Sequence, residues 1–500
     1  MFKAFANWAK SRGGVHPVGH KESAVSAIKS ATLPEKLFIP LRQHAGASAI
    51  PIVNVGDYVL KGQLIAVAPT EVSAPVHASS SGTVTDITDI VAPHPSGHTA
   101  PAIIIETDGK DQWQDVGDIE DPFKAPPLSL ADKVAQAGIV GMGGAIFPAA
   151  VKLKQGAKHE IKTVLVNGSE CEPYLTCDDR LMREKAEKII TGARLVRYIL
   201  QAYRVVIAIE DNKPEAIKAI QEAAAPFGSV EVHVVPAKYP MGSAKQLIQW
   251  VTGREVPAGA RSTSVGTLVH NVGTIYAIYE ALVLGRPLIS RVVTVAGGAI
   301  KTPSNIEALI GTPISNIIDE CEGLKTSPSQ IIMGGPMMGM PIPSSDAPMI
   351  KGATGILAFT KDEMPSKKQS PCIRCTSCVK ACPMGLLPLE MATRVNAEDF
   401  DSAADYGLKD CILCGACAYV CPSHIPLVQY FQFAKGKQAI ARDAKKKMEY
   451  TVDLSVAKQE RVEAEKAAKA AEKAAKKAAR AKASKARKNR ADATKEESNE

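Results

Sequence analysis

Five hundred residues with 45% apolar content can bury several cores, three or four domains at ordinary domain sizes. No run of 18 or more uninterrupted apolar residues occurs, so no segment reads as a bilayer span; the most apolar run, Val265 to Leu284, carries His270, Asn271 and Glu280. The net charge of +8 is unevenly placed: residues 441–490 hold 17 Lys/Arg against 7 Asp/Glu, and the first 440 residues are almost neutral.

In chain order, Met1 to Lys10 is short and amphipathic, without the apolar region of a secretory signal or a twin arginine. The expectation is a protein that is cytoplasmic or held on the cytoplasmic face of a membrane. Residues 37–106 form a β-rich unit, with runs at Ala49–Val53, Tyr58–Leu60, Leu64–Val67, Gly82–Ile87 and Ala102–Ile105 broken by Gly, Pro and Asp. The phrases VGDYVLKGQLIA and VSAPVHASSSGTV resemble a biotinyl/lipoyl-type barrel-sandwich hybrid. Carrier domains present a modified lysine between such phrases. Here that hairpin is Pro69, Thr70, Glu71, Val72 and Ser73, so a docking or packing module is expected instead of a swinging arm.

Beyond a Pro-rich linker at Pro122 to Pro127, residues 129–235 alternate helical patterns with apolar strands. Thr163–Asn167 and Val205–Glu210 read as buried parallel strands. A first cluster, Gly141-Met-Gly143-Gly144-Ala-Ile-Phe147-Pro148, opens a helix with Lys152 one turn on; free backbone N–H groups and a lysine suit a phosphate. Gly-rich turns are common, however, and the G-x-G-x-x-G spacing is not met. A second cluster, Asn167-Gly168-Ser169-Glu170-Cys171-Glu172-Pro173, follows a strand at the sheet edge where cofactors sit in open α/β folds.

Eight of the eleven cysteines form two copies of C-x2-C-x2-C-x3-C-P: Cys372, Cys375, Cys378, Cys382, Pro383 and Cys411, Cys414, Cys417, Cys421, Pro422. That run holds cubane clusters in two-cluster ferredoxins, where the fourth cysteine serves the other cluster. It assigns Cys372, Cys375, Cys378 and Cys421 to one [4Fe–4S] centre, and Cys411, Cys414, Cys417 and Cys382 to the second. Each fourth cysteine is expected to start a helix toward the other cluster. Ile373, Ile412, Leu413, Ala416 and Ala418 are expected to cover the sulfurs. Zinc gives no reason for the repeated proline-terminated spacing, and disulfides need an oxidising compartment.

Taken together, GMGGAIFPAAVK, VNGSECEP and LVHNVGT resemble the flavin- and NADH-binding subunit of respiratory complex I. With the barrel-sandwich ahead and the two-cluster module behind, residues 10–435 look like the RnfC/RsxC subunit of the Rnf/Rsx ion-translocating electron-transport complexes. The resemblance implies a multidomain α/β chain, with an N-terminal arm (1–36), a β barrel-sandwich hybrid (37–121) and a Rossmann-like α/β domain for FMN and NADH (128–285). A small β-grasp, SLBB-like domain (286–350), an α-helical two-[4Fe–4S] ferredoxin module (362–432) and a basic helical tail (440–500) complete it.

It also implies site roles. Gly141, Gly143, Gly144 and Lys152 match the loop and lysine that cradle FMN, and Phe147 the aromatic beside the nicotinamide. Asn167 and Glu170 match flavin contacts, Glu172 the carboxylate near NADH, and Asn271 and Thr274 a distal flavin loop. Departures from the complex I pattern are Ile146 and Ala150 for glycines, Ser169 for aspartate, and no acidic pair in the stretch Tyr239 to Gln246. The implied function is that of a peripheral inner-membrane subunit on the cytoplasmic side, exchanging electrons between NADH and a ferredoxin-like carrier through FMN and two clusters. Its partners are the other subunits of the complex. The alternatives are a non-enzymatic relay or docking subunit, and a reducing system for an iron–sulfur transcription factor.

Remaining residues have simpler readings. Cys171, Cys177 and Cys321 lie outside the motifs and read as packed thiols, and the Met337–Met340 stretch as a core corner. His424 is expected to pack or hydrogen-bond near the last ligand, and His16, His20, His94 and His98 to face solvent from polar loops. The Ala/Lys/Glu tail has no apolar seam and reads as a solvated single helix or partly helical linker, a solubilising extension or a lipid- or partner-facing element; no aromatic interleaving points to nucleic acid.

Overall fold

The computed structural model describes residues 12–364 and 368–496; the expectation for Met1 to Lys10 lies outside them. The chain forms two units, Met1–Phe431 and Gln432–Glu500.

In the first unit, the arm contributes β1 (Lys29–Ser30). The β-rich module then holds β2 (Lys36–Pro40), β3 (Ile50–Pro51), β4 (Tyr58–Val59), β5 (Leu64–Val67), β6 (Val76–His77), β7 (Gly82–Val91) and β8 (Thr99–Thr107). Two antiparallel sheets, β2-β8-β7-β4 and β3-β5-β6, close over Leu37, Ile39, Val59, Ile65, Ile103 and Ile105. The β7–β8 hairpin runs beyond the apolar runs seen in sequence, to Val91 opposite Thr99, because ladder hydrogen bonds carry it past the core.

The α/β part runs α1 (Pro127–Gln136), α2 (Ala149–Gly156), β9 (Thr163–Gly168), α3 (Cys177–Glu184), α4 (Ala186–Leu200), β10 (Arg204–Glu210), α5 (Pro214–Ala224), β11 (Val230–Val235), α6 (Ala244–Thr252), β12 (Thr267–Asn271) and α7 (Val272–Val283). Its sheet is parallel, in the order β11-β10-β9-β12. The apolar run Val265 to Leu284 divides into β12 and α7 because Asn271 accepts a hydrogen bond from the Gly273 N–H at 2.8 Å and caps the helix. Asn167 and Asn271 are register partners at the carboxyl ends of β9 and β12.

Next come β13 (Ser290–Ala296), β14 (Ser304–Leu309), α8 (Ile314–Asp319), β15 (Gln330–Met333), β16 (Met340–Ile342) and β17 (Gly355–Phe359). They form a six-stranded sheet, β1-β14-β13-β17-β15-β16, which the arm enters through the parallel β1–β14 pair. The Met337–Met340 stretch is not a core corner: Met338 is 54% and Met340 41% exposed. A tight turn, with the Gly339 N–H on the Gly335 carbonyl at 2.7 Å, leads into the edge strand β16 and turns these side chains outward.

The cysteine-rich segment holds α9 (Ser377–Ala381), α10 (Pro388–Asn396), α11 (Phe400–Asp405) and α12 (Ala416–Tyr419). The fourth cysteines do not start helices. Cys382 ends α9 and Cys421 follows α12, because each is followed by proline and a turn whose third residue, Gly385 or His424, is left-handed. The last helix, α13, spans Leu427–Glu496, and its Ala/Lys-rich residues 441–490 are exposed.

Candidate electron-transfer site

A bond from the Gly141 N–H to the Phe147 carbonyl, 2.8 Å, closes the glycine loop ahead of α2. Gly144, at φ +104°, has open space beyond its α-carbon, so backbone alone faces outward there. Ile146 also takes a positive φ, +45°, and packs its side chain over Gly352. The Met142 N–H donates to Thr274 Oγ1 at 3.0 Å, and Gly143 lies against Asn271, which anchors the loop at the start of α7. Asn271 Nδ2 donates to Asp178 Oδ2 at 2.6 Å. One strand over, Asn167 Nδ2 donates to the Gly242 carbonyl at 2.8 Å.

Lys152 reaches back from α2 to the Val269 carbonyl of β12. Burial alone pushes its ammonium down to about 8, with no carboxylate to offset it. Beside it, His270 is held well below its ordinary value by burial and then by Lys152, and its Nε2 is buried without a partner. A buried cation lacking an anion, on the helix that follows the exposed glycine backbone, fits the phosphate end of a flavin mononucleotide.

The acidic residues behave differently. Glu170 accepts from the Asp178 and Asp179 N–H groups, 2.7 and 3.1 Å, and caps α3. Glu172 turns toward the β15–β16 turn, where Oε2 accepts from the Met337 N–H at 2.9 Å while Oε1 is buried without a partner. Burial pushes this carboxyl up to about 7. The structure therefore groups Gly141, Gly143, Gly144, Asn271 and Thr274 round the start of α7, with Lys152 bonded to β12 and Asn167 on the next strand. Glu172 stands apart from them.

Sequence reasoning missed Lys21. Its ammonium donates to the carbonyls of Glu170, Glu172 and Leu175, at 3.1, 2.9 and 2.6 Å, and so fixes the whole acidic loop from the arm. No local pattern marks such a long-range contact. Asp178 was more accessible: paired with Asp179, it opens a helix in TCDDR. Cys171, Cys177 and Cys321 are packed thiols, each raised by burial. His20 does more than face solvent; its ring stacks on Tyr174 at 4.5 Å.

The cluster cysteines gather in the crosswise sets. A cavity of about 210 Å³ is lined by Cys372, Cys375, Cys378 and Cys421, and a tighter one by Cys382, Cys411, Cys414 and Cys417. Left-handed residues recur at the same places in both copies, Arg374 and Thr376 in the first, Leu413 and Gly415 in the second, turning the thiols inward. The Arg374 and Leu386 N–H groups approach Cys372 and Cys382 Sγ at 3.4 Å. Four thiols per cavity match the demand of a cubane.

The two cavities differ in surroundings. The second is the inner one: the Tyr239 hydroxyl donates to the Cys414 carbonyl at 2.5 Å, Gln246 Nε2 to the Pro383 carbonyl at 3.1 Å, and Lys245 faces Asp410 at 3.5 Å. Burial pushes the Cys414 thiol up to about 11. In the outer one Cys372 and Cys375 are exposed, and Ile373, expected as cover, is 69% exposed because this copy faces away from the α/β part. Ala416 is buried, as cover requires, and Ile412, Leu413 and Ala418 are half-buried.

Residues 134–280 match the Nuo51 FMN-binding domain, 9–110 the RnfC barrel-sandwich hybrid domain, 292–341 the SLBB domain and 371–425 the 4Fe-4S dicluster domain. The C subunit of the ion-translocating oxidoreductase complex of Rhodobacter capsulatus is 48% identical over 428 residues, 85% of this chain and 82% of that one. Its counterpart in Haemophilus influenzae (strain 86-028NP) is 44% identical over 457 residues, 91% and 68% of the two chains. The fold and these domains define an electron-transport subunit whose cofactors are FMN and a pair of [4Fe–4S] clusters. The chain belongs to the RnfC family, the C subunits of the ion-translocating oxidoreductase complexes. No helix among the described residues is long and apolar enough to cross a membrane.

Proposed function

We propose that this subunit sits peripherally on the cytoplasmic side of the inner membrane and passes electrons between NADH and ferredoxin-type acceptors, in a complex that couples the transfer to ion movement. Bound FMN supplies the exchange between two-electron hydride chemistry and single electrons. Gly141, Gly143 and Gly144 would offer backbone to it, Lys152 would neutralise its phosphate, and Asn167, Asn271 and Thr274 would hold it at the sheet edge. Glu170 would stand on the flavin side, and Phe147 and Glu172 on the nicotinamide side. The thiols of Cys382, Cys411, Cys414 and Cys417 hold the centre nearer the flavin, and Cys372, Cys375, Cys378 and Cys421 the farther one.

One observation carries this reading. The turn Tyr239–Gly242 touches both halves, accepting from Asn167 at Gly242 and donating to the Cys414 carbonyl from Tyr239. A relay-only subunit is favoured by the prior engagement of Asn167, Glu170 and Asn271 in structural bonds. Anaerobic titration of NADH into reconstituted protein separates the two: bleaching of flavin absorbance is expected, and its absence in flavin-loaded protein refutes the NADH reading. Lys152→Met should weaken FMN binding by about 10- to 100-fold, the loss of one charge-assisted contact, measured by flavin fluorescence.

A further inference from the structure

The two cysteine runs share a spacing and a backbone conformation, yet their outward residues differ in kind. Ile373, Arg374 and Lys380 of the first occupy the places of Ile412, Leu413 and Tyr419 in the second. In the inner copy residues 411–418 are all at least partly covered. In the outer copy the whole run from Lys368 to Thr376 is exposed, and so is Lys380. Arg374 brings charge to the exposed copy at the place where the covered copy has the half-buried Leu413, and Lys380 brings a second charge where the other copy has an uncharged, exposed tyrosine. No Asp or Glu occurs between Glu363 and Glu390, and among the described residues Arg374 is the only charged one lining the outer cavity.

Ile373, 69% exposed, lines the outer cavity with the exposed thiols Cys372 and Cys375, and the exposed cations Lys368, Arg374 and Lys380 all lie within seven residues of it. An apolar group among charges of one sign, beside the point where an electron can leave, has the make-up of a contact surface. We propose that this face, Lys368 to Thr376 with Lys380, is the docking surface for an acidic one-electron carrier protein. The inference rests on the electron-transfer function proposed above and names the place and the charge of its partner. Docking makes and breaks no bond; the electron that crosses leaves this chain oxidised by one and the carrier reduced by one.

The test needs no NADH, so it succeeds or fails apart from the flavin reading. Holoprotein is titrated with a plant-type ferredoxin, an acidic protein, carrying gallium in place of iron so that only binding is read. Its Kd is expected to rise about tenfold or more between about 50 and 500 mM NaCl, as an exposed interface of opposite charge requires. Lys368→Glu with Lys380→Glu should weaken binding about tenfold at the lower salt, and Ile373→Ala should weaken it at both salts. Cytochrome c, a basic protein, should bind more weakly than the acidic probe and gain from the charge reversal. A Kd that changes less than about twofold with salt overturns the proposal. So does equal weakening by Lys476→Glu with Lys477→Glu in the tail, or tighter binding of cytochrome c than of the acidic probe. Iron content is checked for each variant; where one fails to hold its clusters, the salt dependence and the probe preference of the unaltered protein decide.

Discussion

Glu172→Gln should abolish a pH dependence that the wild-type loop carries. The Glu172 carboxyl is buried with one oxygen bonded to the Met337 N–H and the other unpartnered. Burial, the largest influence, outweighs the backbone N–H groups and the Lys21 ammonium and raises its proton affinity from the ordinary 4.5 to about 7. Between those two values the folded loop keeps a proton that the opened chain has released. Its contribution is therefore fully present below about pH 4.5, fades as pH rises toward 7, and stays lost above. At about 1.4 kcal/mol per tenfold, the ceiling is about 3 kcal/mol, or about three hundredfold in the opening equilibrium of the β15–β16 turn. Hydrogen–deuterium exchange of the segment 334–342, corrected for intrinsic rates, should show wild-type protection falling as pH rises from about 5 to 8. Glutamine keeps an oxygen for Met337 and cannot ionise, so its protection should stay level. The same fall in both proteins would refute the assignment of this turn's pH response to Glu172.

Two further outcomes follow from the cluster geometry. Chelator should strip iron from the wild type in a fast phase from the exposed outer set and a slow phase from the buried inner set, about four irons each. Cys382→Ala should leave only the fast phase and Cys421→Ala only the slow one; the opposite result would show that each copy serves its own centre. Gly13→Ala should accelerate the slow phase several-fold without touching the fast one, because an added β-carbon would lie 2.3 Å from the Cys382 carbonyl at a φ of +61°. An unchanged slow phase would show that the arm plays no part in sealing the inner cavity.

How much of this was legible in sequence depended on range. Ligand spacing is local, and Cys372 to Cys421 gathered into the crosswise sets that the spacing implied. Buried parallel strands also announce themselves by continuous apolar runs, as β9 and β10 did. Exposure is another matter. Ile373 and Ile412 sit at equivalent motif positions, and only packing in the fold, where Ile412 joins a cluster with Val15, Cys171 and Tyr239, decides that one is covered and the other bare. Lys21 was invisible for the same reason, since a lysine in a polar arm carries no sign that three distant carbonyls await it.

The stretch Tyr239 to Gln246 shows why a departure from a family pattern can be structural in origin. Beside the complex I pattern, its lack of an acidic pair looks like a loss at the dinucleotide site. In the fold, Tyr239 bonds the Cys414 carbonyl, Gln246 the Pro383 carbonyl, and Lys245 faces Asp410. All three contacts grip the module that carries the inner cysteines. A carboxylate in place of Gln246 would face the Pro383 carbonyl with no proton to donate, leaving two acceptors opposed in a half-buried contact. The stretch thus serves the joint between the α/β part and the inner cavity.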